Sequence, residues 1–189
     1  MALIEAFLVS TGVVALAEIG DKTQLLALVL AARFRKPVPI VLAIFVATLA
    51  NHTLAGALGG WLAAVADPRM LRWGLGLSFI AMALWMLIPD RHDVGDAKPP
   101  RFGVFFTTLF AFFMLEMGDK TQIATVALAA KYSCVLAVVA GTTLGMMIAN
   151  VPAVYLGEVA AKRLPIRGVR MIAAIVFLVL GVAVLWSAE

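Results

Sequence analysis

The chain has 189 residues, 63% of them hydrophobic and only 14% charged, with a mean hydropathy of +1.04. A soluble domain of this length cannot hide that much apolar surface, so the bilayer is its solvent; the apolar runs are too long, and alternate too little, for a β-barrel. The net charge of +4 does not call for a nucleic-acid partner, because the basic residues sit in short loops between apolar runs, where membrane topology places them.

The first apolar stretch follows Met1-Ala2-Leu3-Ile4-Glu5, which has neither a basic n-region nor a cleavage site. It therefore reads as a retained span over 4–31. Further spans are predicted over 38–64, 70–88, 103–130, 134–157 and 168–187, each long enough for a helix of roughly 20 residues to cross the hydrocarbon. Pro37 and Pro39, Asp67-Pro68, Pro89-Asp90, Pro99-Pro100, and Pro165 with Gly168 separate them. Six helices use nearly the whole chain and leave no room for a soluble domain. Only the polar loop 89–102 is substantial, and it divides the chain into three-helix halves, 1–88 and 103–189.

Those halves repeat. Glu18-Ile19-Gly20-Asp21-Lys22-Thr23-Gln24 returns as Glu116-Met117-Gly118-Asp119-Lys120-Thr121-Gln122, 98 residues later, with six of seven residues identical. Ala50-Asn51 resembles Ala149-Asn150, and Leu58-Gly59 resembles Leu156-Gly157. Three spans per half is odd, so the second copy enters the membrane from the opposite side. The expected fold is an all-α membrane protein of six transmembrane helices in two inverted-topology repeats, an architecture of secondary transporters.

Loop charges predict the orientation. Arg33, Arg35, Lys36, Arg91, Lys98, Arg101, Lys162, Arg163, Arg167 and Arg170 fall on one side, against Arg69, Arg72 and Lys131 on the other. The ten-residue side is expected in the cytoplasm, with both termini outside.

Both motifs fall near the bilayer midplane. Left unpaired, Glu18, Asp21, Lys22, Glu116, Asp119 and Lys120 would together cost roughly 15–21 kcal/mol there, at roughly 2.5–3.5 kcal/mol each. They must face one another or water, and a purely structural role for so many charges is hard to credit. On a continuous helix, Glu18, Asp21 and Lys22 share one stripe, as do Glu116, Asp119 and Lys120. Gly20 and Gly118 either allow close packing or unwind the helix and free carbonyl oxygens for an ion.

The available chemistry is oxygen-rich. Four carboxylates, the amides of Gln24 and Gln122, the hydroxyls of Thr23 and Thr121, and the nearby Asn51 and Asn150 offer hard ligands. No His or Cys lies in either motif, which points to Ca²⁺, Mn²⁺ or Mg²⁺ rather than zinc or copper. Four carboxylates and two lysines sum to −2, which one divalent cation or two protons neutralise. The same groups can therefore alternate between metal and protons. Lys22 and Lys120 read as counter-ions, each adjoining an Asp and lying four residues after a Glu; anion or substrate-carboxylate contact is the other reading.

Other residues carry less. His52 has no counterpart in the second half and reads as a helix-interior hydrogen-bonding group. His92 reads as solvated in the polar loop. Met114, Met117, Met146 and Met147 are apolar filler by default, and Cys134, alone, is a packing residue. Gly56-x-x-x-Gly60 and Gly141-x-x-x-Gly145 read as close helix contacts, and Glu158 with Lys162 as an interfacial salt bridge.

Two copies of E-x-G-D-[K/R]-[T/S] in two three-helix halves resemble uncharacterised protein family 0016, whose members include bacterial manganese exporters and the Golgi and chloroplast manganese/calcium transporters. The resemblance covers essentially the full chain. Glu18, Gly20, Asp21, Lys22 and Thr23 match the first family motif, and Glu116, Gly118, Asp119, Lys120 and Thr121 the second. It implies transport of Mn²⁺, with Ca²⁺ second, in exchange for protons, and no prosthetic group. The resulting expectation is a multi-pass protein of a prokaryotic inner membrane that exports Mn²⁺, its ion held by Glu18, Asp21, Gln24, Glu116, Asp119 and Gln122. Homo-oligomerisation stays open. Two rivals remain: an exporter of a small organic solute or amino acid, and an intramembrane metal-dependent enzyme. The enzyme suffers from having no His/Cys metal set or nucleophile beside the carboxylates.

Overall fold

The computed structural model describes residues 2–88, 103–132, 134–156 and 166–186. Among them are eight α-helices and no strand: α1 Ala2–Glu18, α2 Lys22–Phe34, α3 Pro37–Val65, α4 Pro68–Met86, α5 Gly103–Glu116, α6 Lys120–Tyr132, α7 Val135–Leu156 and α8 Ile166–Trp186. α3, α7 and α8 are long and apolar enough to cross a membrane unaided, and α1 with α2 passes as one span bent by 70°. The polar loop with His92, and the segment with Glu158 and Lys162, lie outside the described residues.

Of the two readings of Gly20 and Gly118, the structure shows the unwound one. Each motif interrupts its helix, at residues 19–21 and 117–119. Glycine is the reason: φ is +80° at Gly20 and +79° at Gly118, a left-handed conformation that costs other L-residues about 1–2 kcal/mol. The single charged stripe drawn along an unbroken helix is therefore replaced by a corner in the chain.

The 98-residue offset extends beyond the motifs. α2 and α6 begin at Lys22 and Lys120, α3 and α7 at Pro37 and Val135, and α4 and α8 at Pro68 and Ile166. Local signals set some of these starts. Pro37 and Pro68 occupy the first helical turn, where a missing N–H costs nothing. Asp67 caps α4, its Oδ1 accepting from the backbone N–H of Arg69 (2.9 Å) and Met70 (3.3 Å).

Polarity is distributed inside out. Leu3, Leu8, Leu42, Trp61, Leu84, Phe110 and Leu136 are exposed, while Glu18, Asp21, Thr23, Gln24, Glu116, Asp119 and Lys120 are buried. A surface of that kind is stable against lipid and not against water. Small residues bring the helices close enough to enclose the charges. A Cβ on Gly141 would lie 2.5 Å from Phe7 O, and one on Gly145 2.5 Å from Thr11 O, so α7 rests on the backbone of α1. Gly56 likewise admits the Val139 side chain between α3 and α7. Phe79 and Phe177, with ring centroids 6.3 Å apart, join α4 to α8. Cys134 packs beside this core as a free thiol.

Candidate cation site

Both motifs fold in the same way. The N–H of Asp21 donates to Glu18 O (3.0 Å) and that of Asp119 to Glu116 O (3.1 Å), each closing the turn across the break. The break is then braced by a side chain: Gln24 Oε1 accepts from the Gly20 N–H (3.0 Å), and Gln122 Oε1 from the Gly118 N–H (2.6 Å). Thr23 donates to Glu18 Oε2 (2.6 Å), and Thr121 to Glu116 Oε2 (3.0 Å). The spacing within the motif thus builds the corner. Gly turns the chain, Gln four residues on satisfies the freed N–H, and Thr five residues after Glu fixes one carboxylate oxygen.

The two corners meet. Lys22 Nζ lies 2.8 Å from Asp119 Oδ1, and Lys120 Nζ lies 3.6 Å from Asp21 Oδ1. Each lysine therefore pairs with the aspartate of the other repeat, where sequence proximity pointed to its own. Lys120 also stands over the Trp85 ring, 5.9 Å from its centroid. Gln24 Nε2 donates to Ala149 O (2.9 Å), Gln122 Nε2 to Asn51 Oδ1 (3.1 Å), and Asn51 Nδ2 to Phe113 O (3.1 Å). Asn150 donates to Met146 O and Sδ.

What remains unsatisfied defines the site. One carboxylate oxygen from each of Glu18, Glu116 and Asp119 lies within 4.8 Å of the others. Glu18 Oε1, Glu116 Oε1, Asp119 Oδ2 and Asn150 Oδ1 are buried without a hydrogen-bond partner among the described residues. Each such atom is costly in a dry interior. Hard divalent cations bind oxygen at about 2.0–2.6 Å, so a single ion can span this separation. Helix polarity adds to the demand: Glu18 and Glu116 end α1 and α5, where the negative end of the helix dipole disfavours a carboxylate until a cation joins it. Gln24 and Gln122 have spent one lone pair of each amide oxygen on the breaks and keep the second.

Two residues depart from expectation. His52 is fully buried, yet neither ring nitrogen has a hydrogen-bond partner among the described residues; the carbonyls of α3 are taken by its own helical ladder. Arg170, counted in sequence as a topological charge, instead reaches inward, its Nη2 donating to Gly20 O at 3.4 Å. The signal that could have found it is Arg69-x-x-Arg72 repeated as Arg167-x-x-Arg170, again 98 residues apart.

The family described as "Divalent cation/proton antiporter GDT1" matches residues 6–94 and 104–189. A Vibrio cholerae protein provisionally named a manganese exporter is 52% identical over 93% of this chain and 88% of its own length. A GDT1-like protein of Synechocystis is 29% identical over 98% of both chains, and GDT1-like protein 5 of Arabidopsis thaliana is 28% identical over 95% of both. No solved structure matches. The chain belongs to the GDT1 family of divalent cation/proton antiporters and is a multi-pass membrane transporter of divalent cations, not an enzyme.

Proposed function

We propose that this protein exports Mn²⁺ from the cytoplasm in exchange for protons, with Ca²⁺ as a second substrate. The observation that carries the reading is the meeting of two helix breaks, which brings oxygens of Glu18, Glu116 and Asp119 within 4.8 Å of one another. Asp21 lies outside that group of three and adds the fourth carboxylate through its pairing with Lys120, and Gln24 and Gln122 offer their remaining lone pairs. With Lys22 and Lys120 paired to the aspartates, the site carries a formal charge of −2. One divalent ion cancels that charge. When the ion leaves, two protons must take its place, because uncompensated charge in a dry interior costs several kcal/mol per ion. Exchange of one for the other is the antiport step.

The proposed topology has six spans, with α1 and α2 forming the first and α5 and α6 the fourth, in inverted repeats 1–88 and 103–189 joined by a cytoplasmic 89–102 linker. Both termini then lie outside a prokaryotic inner membrane, as the basic-residue asymmetry favours. Rocking of one repeat against the other would open the site to each side in turn. The name of the Vibrio cholerae relative supports manganese and the outward direction, and the family description supports the proton. The test is flux of ⁵⁴Mn and ⁴⁵Ca in proteoliposomes. An imposed pH gradient should drive metal against its own gradient, with Mn²⁺ carried faster than Ca²⁺. Metal flux indifferent to the pH gradient would make the protein a uniporter.

A further inference from the structure

Arg170 donates to the carbonyl oxygen of Gly20, at the break between α1 and α2. The carbonyls at the end of a helix lack intrahelical partners and carry its negative dipole end, so an arginine there both satisfies an acceptor and offsets charge. The internal repeat supplies an equivalent pair. Arg72 stands 98 residues before Arg170, as Gly20 stands 98 before Gly118, and α4 and α8 start at the same offset. The second pair is not joined. Among the described residues, no hydrogen bond links Arg72 to Gly118 and the buried Arg72 Nε has no partner. Burial follows the same asymmetry: Gly20 is buried, whereas Gly118 is exposed, as is its neighbour Met117.

In a transporter built from inverted repeats, the two repeats exchange conformations between the two facing states. A contact made by one repeat and missing from the other is then one that forms and breaks in each cycle. We propose that Arg170 and Arg72 are alternating latches on the two helix breaks. Arg170 holds Gly20 O in the state described here, and Arg72 takes Gly118 O in the opposite state as Arg170 lets go. Each the fifth residue of its helix, α8 and α4, the two arginines stand toward opposite membrane faces in the proposed topology. This inference rests on the alternating-access reading. It makes both arginines positioning residues that set the rate of exchange without touching the ion.

Arg72 gives the sharpest test, since its buried Nε has no hydrogen-bond partner among the described residues. Arg72→Gln and Arg170→Gln should each slow ⁵⁴Mn flux in proteoliposomes by roughly tenfold or more, the loss expected for one charge-assisted hydrogen bond. Equilibrium Mn²⁺ binding in detergent should change little, and Arg→Lys at either position should restore part of the flux. A second measurement uses a Cys134→Ser background. The pairs Ile19→Cys with Arg170→Cys and Met117→Cys with Arg72→Cys should both cross-link through a bifunctional thiol reagent long enough to replace the arginine's reach, and forming one should prevent the other. Wild-type flux in Arg72→Gln, or a 117–72 pair that never cross-links, would overturn the latch. If the unaltered protein carries no divalent-cation flux, the transport reading fails instead, and exclusive cross-linking in detergent still decides whether the latches alternate.

Discussion

Replacing Gly118 by alanine isolates what the helix break contributes. The backbone there has φ of +79°, and a Cβ would meet nothing within 4 Å, so conformation alone sets the cost. Alanine in the left-handed region loses about 1–2 kcal/mol. It also stabilises a competing continuous helix by about 1 kcal/mol relative to glycine. Together these shift the balance against the broken form by about 2–3 kcal/mol, roughly 30- to 150-fold. The broken form is the one that sets Glu116 and Asp119 toward Glu18, so metal affinity should fall with it. Gly118→Asn is the control, because asparagine visits the left-handed region at lower cost. Isothermal titration of Mn²⁺ into purified protein should give affinities in the order Gly, Asn, Ala. Wild-type affinity in Gly118→Ala would show that the site does not need the break.

Other substitutions probe different parts of the account. Glu18, Asp21, Glu116 and Asp119 changed singly to alanine should abolish ⁵⁴Mn flux while the protein still inserts, and wild-type flux in any two would end the shared site. His52→Leu removes two buried unpartnered nitrogens, each worth about 1–3 kcal/mol of desolvation; the thermal midpoint in detergent should rise, and a fall would place ordered water on the ring. Single cysteines in the 89–102 loop should react with impermeant reagents only from the cytoplasm, and cysteines at both termini only from outside; the reverse pattern would invert the transport direction.

The apolar helices and the buried acidic cluster are legible in the residues themselves. Hydropathy marks the apolar helices because bilayer thickness dictates their length, and the repeated heptapeptide singles out the acidic residues because charge inside an apolar helix demands a use. Periodicity failed at the motif itself. A 3.6-residue stripe assumes a continuous helix, and Gly20 and Gly118 end it. The two roles of glycine, packing or unwinding, differ only in φ, which sequence does not display. The crossed pairing of Lys22 with Asp119 and Lys120 with Asp21 was hidden for a related reason, since side chains near in sequence point apart once the chain turns a corner. Sequence does not single out Arg170, because positive charge near a span end has a sufficient topological explanation. Only its register with Arg72 distinguishes it.

In the proposed mechanism metal and protons compete for one −2 site, and proton release on binding reads out that competition. Metal and proton equilibria at shared ligands are linked, so binding one must expel the other. Mn²⁺ titrated into a weakly buffered, detergent-purified sample should acidify the medium, approaching two protons per ion at low pH and fewer as pH rises. Glu18→Gln and Glu116→Gln should each reduce the release, because an amide keeps an oxygen ligand but carries no exchangeable charge. Tight Mn²⁺ binding with no proton release and no dependence on pH would contradict the exchange mechanism.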